Sequence, residues 1–124
     1  MTFILVLLAG VVDLGRMFFT FVSLRDAAQE GAIYASFCPT NFAGIENRVR
    51  DTSSNPIDLT GDNIFVDRVC SPNTNCLVAG DNVTITVRMD DFTFSMPFLG
   101  GSSFPLEASV TDPILTSTMD CSNI

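Results

Sequence analysis

Residues 13–31 read DLGRMFFTFVSLRDAAQEG, and they follow twelve residues, MTFILVLLAGVV, that carry no charged side chain. Asp13 and Arg16 interrupt the apolar run, which resumes at once with Phe18, Phe19, Phe21, Val22 and Leu24. No Pro occurs before Pro39, so residues 1 to about 36 are expected to form one continuous helix. At 1.5 Å per residue such a helix is roughly 54 Å long, more than a hydrocarbon core requires. Its second half changes character. Leu24, Ala27, Ala28, Gly31, Ala32 and Ala35 fall at helical spacing, and small residues permit close approach of another element. The first half is too apolar to be left in water and belongs in a bilayer or in a bundle of like helices.

Downstream the pattern changes. A second helix is expected over 41–51, capped by Thr40 or Asn41, with Phe42, Ile45 and Val49 inward. The segment 51–62, DTSSNPIDLTGD, is linker by composition. From there the period becomes two. NIFVDRVC (63–70) alternates weakly, and NVTITVRM (82–89) places Val83, Ile85, Val87 and Met89 on one face. FPLEASVTDPIL (104–115) is a third strand, with Leu106, Ala108 and Val110 inward, bracketed by Pro105 and Pro113, which suits strand ends or an edge. The expected fold is therefore α+β, with a long N-terminal helix (1–36) whose C-terminal half packs on a small antiparallel sheet in a head domain (37–124).

Composition narrows the function. The 124 residues include 14 acidic and 6 basic side chains, a net charge of −8, and every basic residue is Arg. Scattered cations on an acidic chain argue against a nucleic-acid partner. Without His or Lys, the usual general bases, Schiff-base nucleophiles and imidazole metal ligands are missing, so no enzyme and no small-molecule substrate is expected. A two-carboxylate hydrolase is the remaining enzymatic reading, and no pair of acids is singled out.

The four cysteines, Cys38, Cys70, Cys76 and Cys121, contain no CxxC pair. An even count in a small chain reads as disulfides made in an oxidising compartment, against the alternative of buried thiols in a cytosolic domain. Of three possible pairings, Cys70–Cys76 would close the turn-forming SPNTN loop, which leaves Cys38 for Cys121. No cofactor is expected. Calcium is the one candidate ion, through Asp58, Asp62, Asp81 or the Asp90–Asp91 pair, although EF-hand spacing is absent. The sequon at Asn82 is read as chance, and both GDN triplets as turns. The apolar FTFSMPFLGG loop either covers the sheet or docks on another subunit.

The order of residues in VVDLGRMFFTFVSLRDAAQEGAIYAS (11–36) resembles the TadE-like pseudopilins of bacterial tight-adherence systems, within the wider type IV pilin-like group. The likeness lies in the Asp–Leu–Gly–Arg element, the aromatic pair, the Ala-rich stretch and the motif Glu30, Gly31, Ala32, Tyr34, Ala35. A second patch, NVTITVRMDDFTFSMPFLGG (82–101), agrees more loosely. Pilin-like precursors carry a basic leader ending in Gly and a Glu near the fifth mature position. Here position 5 is Leu5 and no leader is visible, so the family's cleavage and methylation chemistry is outside the resemblance.

The resemblance implies a subunit of an extracellular filament, inserted in the cytoplasmic membrane before assembly, with copies of itself as partners and with adhesion as the task. Asp13, Arg16, Phe18, Phe19, Glu30 and Gly31 are the expected assembly residues. Asp13 and Arg16 pair either within one helix or with Arg16 and Asp13 of neighbouring helices, where they fix axial register. Two other readings are a monomeric membrane-anchored accessory protein of the same system and a secreted ligand-binding domain on a hydrophobic tether.

Overall fold

The computed structural model describes residues 1–52, 64–93 and 103–116. Helix α1 spans Thr2–Phe37 and α2 spans Phe42–Asp51; strands β1 (Ile64–Ser71), β2 (Asn82–Thr93) and β3 (Ser103–Pro113) follow. Among the described residues the sheet is three-stranded, in the order β1-β2-β3, and both pairings are antiparallel. This is the expected α+β layout. Of the expected linker at 51–62, Asp51 ends α2 with Thr52 after it, and of the apolar loop at 92–101, Phe92 and Thr93 belong to β2; the rest of both lies outside the described residues.

The core forms where the small-residue face of α1 meets the sheet. Leu24, Ala27, Ala28, Ala32 and Ala35 share one buried cluster with Ile45 and Val49 of α2 and with Val83, Ile85 and Val87 of β2. The close approach is tightest at Gly31. A Cβ there would lie 2.6 Å from Val49 Cγ2 and 3.2 Å from Ile85 Cγ2, so the absence of a side chain sets how near α1 lies to both neighbours. Asn41 caps α2 by accepting from the Gly44 N–H at 3.1 Å, and its amide donates to the Tyr34 hydroxyl at 3.1 Å. That double use ties the start of α2 to α1.

One strand runs further than its alternation suggested. β2 continues past Met89 to Thr93 through a register break between Met89 and Phe92. Met89 faces Leu106 and Phe92 faces Phe104, so Asp90 and Asp91 together oppose the single Pro105. Pro105, expected at a strand end or on an edge, lies inside β3, which is the edge strand among the described residues. It is tolerated because β3 is an edge strand and a bulge already interrupts the ladder at that point. Between β2 and β3 the outer face is polar. Thr84 pairs with Thr111 at 2.8 Å and Thr86 with Ser109 at 3.0 Å, hydroxyl to hydroxyl across β2 and β3.

Cys70 and Cys76 are bridged, as the turn between them suggested. Within that loop Asn73 donates to the Asp81 carboxylate at 2.8 Å. Beyond β3, Leu115 N–H donates to Ser36 O at 2.8 Å, which brings the chain beside the end of α1. Cys38 sits there and is disulfide-bonded; its expected partner, Cys121, lies outside the described residues.

Non-reducing peptide mapping is expected to return Cys70 with Cys76 and Cys38 with Cys121. Reducing the six-residue Cys70–Cys76 separation alone should cost only about 2 kcal/mol, since short loops lose little closure entropy. Gly31→Ala should destabilise the head by about 1 to 3 kcal/mol in thermal unfolding, because the crowding exceeds the gain in helix propensity. Adding Val49→Ala should recover part of that loss; full stability in the single variant would show that α1 can withdraw freely.

Candidate functional site

Among the described residues, no layer packs on the N-terminal part of α1. Phe3, Ile4, Leu5, Leu7, Leu8, Val11, Val12 and Leu14 are all exposed, Phe3 by 75%. Keeping these eight side chains in water costs on the order of 10 kcal/mol, which is comparable with the whole stability of a small domain. The helix is long and apolar enough to cross a membrane, and only 6% of its most apolar 18-residue stretch is buried, unlike the core helix of a soluble domain.

Asp13 marks the boundary. It is 1% exposed, whereas its pairing partner Arg16 is half exposed. Arg16 Nη1 donates to Asp13 Oδ1 at 3.5 Å, a long contact between residues one turn apart. Asp13 Oδ2 is buried and, among the described residues, accepts no hydrogen bond. The Arg16 guanidinium also lies over the ring of Phe92, 5.7 Å from its centre. Phe92 closes β2 after the bulge, so the extended strand carries the head back along α1 to Arg16. Protection by the head thus begins near residue 13, earlier than the helix midpoint that the sequence pattern indicated.

The other expected assembly residues divide into two groups. Phe18 and Phe19 are exposed and meet edge to face, with ring centres 6.2 Å apart. Glu30 is exposed as well. Gly31 is not on that surface: it is buried inside the protomer against Val49 and Ile85. Its neighbour Tyr34 is also interior, with its ring under the Arg48 guanidinium at 5.6 Å. Sequence reasoning missed the cation–π contacts altogether, because they join residues remote in sequence. Arg68 over Phe42 and Arg88 over Phe65 are two more.

Of the acids considered for calcium, Asp81 is committed to Asn73 and Asp90 to Arg88 at 2.9 Å. Asp58 and Asp62 lie outside the described residues, as does the side chain of Asp91. Among the described residues no group of three or more potential ligands gathers.

The asymmetry of the Asp13–Arg16 pair makes a specific prediction. Arg16→Gln removes the cation from a buried carboxylate and should destabilise the protein by up to about 3 to 5 kcal/mol. Asp13→Asn leaves a half-exposed guanidinium that water can solvate and should cost clearly less. The exchange Asp13→Arg with Arg16→Asp should also be harmful, since it forces a guanidinium into the buried position. Thermal unfolding in detergent checks the order; equal losses for the two single variants would contradict this asymmetry.

A family model described as TadE-like protein matches residues 1–32, within α1. No curated protein and no solved structure matches the chain. The matched segment contains both the exposed apolar turns and the Asp13–Arg16 pair, which are the features that set this helix apart. The likeness to TadE-like proteins thus covers 32 of the 124 residues, in a helix long and apolar enough to cross a membrane.

Proposed function

We propose that this chain is a non-enzymatic structural subunit of a pilus-like extracellular filament, inserted in the cytoplasmic membrane first and polymerising through α1. The observation that carries the reading is the exposed apolar half of α1, continuous with a head that has a buried core of its own. In the membrane, lipid covers those turns. Outside it, equivalent helices of other copies are the cover of matching chemistry, and the disulfides fit an oxidising compartment, in keeping with a head outside the cytoplasm. Adhesion is the task that fits a head with a polar outer sheet face. A second reading keeps the same helix as a permanent anchor for a monomeric accessory protein, and it rests on the same membrane-length segment.

Negative-stain electron microscopy of the full-length protein, together with fractionation, separates the two. Fibres built from this chain and shed from cells support the filament. A protein recovered wholly in the membrane fraction, and monomeric in detergent, would establish the anchor reading instead.

A further inference from the structure

Five of the six arginines are engaged inside the protomer. Arg16 contacts Asp13 and Phe92, Arg48 covers Tyr34, Arg50 pairs with Glu46 at 2.9 Å, Arg68 donates to Pro39 O, and Arg88 pairs with Asp90. Arg25 is exposed and, among the described residues, has no hydrogen bond, ion pair or ring contact. Asp26 and Glu30, equally exposed, also have no partner there. Their own helix cannot join them. At 3.6 residues per turn, Asp26 lies about 100° and Glu30 about 140° around the axis from Arg25. Asp26 and Glu30 instead share an edge at i, i+4, where two like charges disfavour the helix by a few tenths of a kcal/mol.

The outward surface of α1 thus carries two adjacent stripes. One holds Phe18, Arg25 and Gln29, with the cation seven residues after the aromatic ring. The other holds Phe19, Asp26, Glu30, Ile33 and Phe37, again with a charge seven residues after an exposed ring. Phe18 is 63% and Phe19 62% exposed. The stripes are complementary to each other, ring to ring and cation to acid, and they point in different directions from one helix. A single copy cannot close them. A second copy in parallel can, and because the two stripes differ the contact is head-to-tail in kind and leaves an unused stripe at each end.

We propose that neighbouring copies pack their α1 helices side by side, with Arg25 of one copy seated between Asp26 and Glu30 of the next. Asp26 and Glu30 lie about 1.5 and 7.5 Å further along the axis than Arg25, so the contact sets an axial stagger of about 2 to 8 Å between neighbours. This rests on the filament reading and adds to it the partner surface and the register. It also assigns axial registration to Arg25 rather than to Asp13 and Arg16, which engage each other within the protomer.

The test uses full-length chains and measures sedimentable polymer, with fibres counted by electron microscopy. Arg25→Glu and the double variant Asp26→Arg with Glu30→Arg should each lower the polymer yield by about tenfold or more, the scale of like charges forced together. Arg25→Gln should lower it less than Arg25→Glu. Co-expression of the two reversed chains should restore polymer, because each then meets an opposite charge on the other. Recovery of the Cys70–Cys76 bridge in every variant confirms a folded head. Wild-type yields from the reversed chains, or no rescue on co-expression, overturn the contact and leave the filament reading intact. Absence of polymer from the wild-type chain overturns both.

Discussion

Helix α1 is one uninterrupted hydrogen-bonded ladder from Thr2 to Phe37, and it must satisfy two surroundings at once. Its first turns carry no charge and expose a run of apolar side chains, while its later turns are matched to a sheet and a second helix. A loop or a Pro between the halves would let each find its own environment. Without one, the side chains alone must change chemistry along a rigid rod, and the rest of the head is built to fit. Alanines and Gly31 bring the backbone of α1 close to Ile45, Val49 and Ile85, so a thin sheet and a ten-residue α2 suffice to enclose the core.

The transition between the two surroundings is handled by polar groups that stay largely within the protomer. Asp13 is buried and leans on Arg16, while Arg16 spreads over Phe92 and remains half open. Thr20 returns its hydroxyl to Arg16 O at 2.8 Å, so it too brings no unmet donor to this region. A charge at this depth is expensive, and the pair, the ring and the bulged strand that delivers the ring share the work of keeping it tolerable.

Much of this was legible in the sequence, and the reasons are physical. The absence of Pro before Pro39, the spacing of the alanines and the clean alternation of 82–89 each report a local period that the fold keeps. The Cys70–Cys76 bridge was legible because its loop is short and rich in turn formers. The extension of β2 to Thr93 was not, because Asp90 and Asp91 break the alternation and a bulge has no period of its own. Gly31 was read in two ways, as part of the small-residue face that packs on the sheet and as an assembly residue, because a small residue at helical spacing signals close approach to either. The family likeness pointed to Glu30 and Gly31 together, yet in the structure one faces solvent and its neighbour faces the core. The unengaged state of Arg25 could be seen only once the partners of the other five arginines were known.

The stiffness of α1 has a mechanical consequence. With the end of β3 fastened to Ser36 and the core clamped along one side of the rod, the head has no swivel relative to the turns that precede it. Each residue of rotation at the buried end turns the head through about 100°. The angular setting of the N-terminal turns therefore dictates which side of the sheet looks outward, much as the keyway of a shaft fixes the orientation of whatever is mounted on it. Torque applied to a bundle of such shafts would reach every head without being dissipated in a hinge.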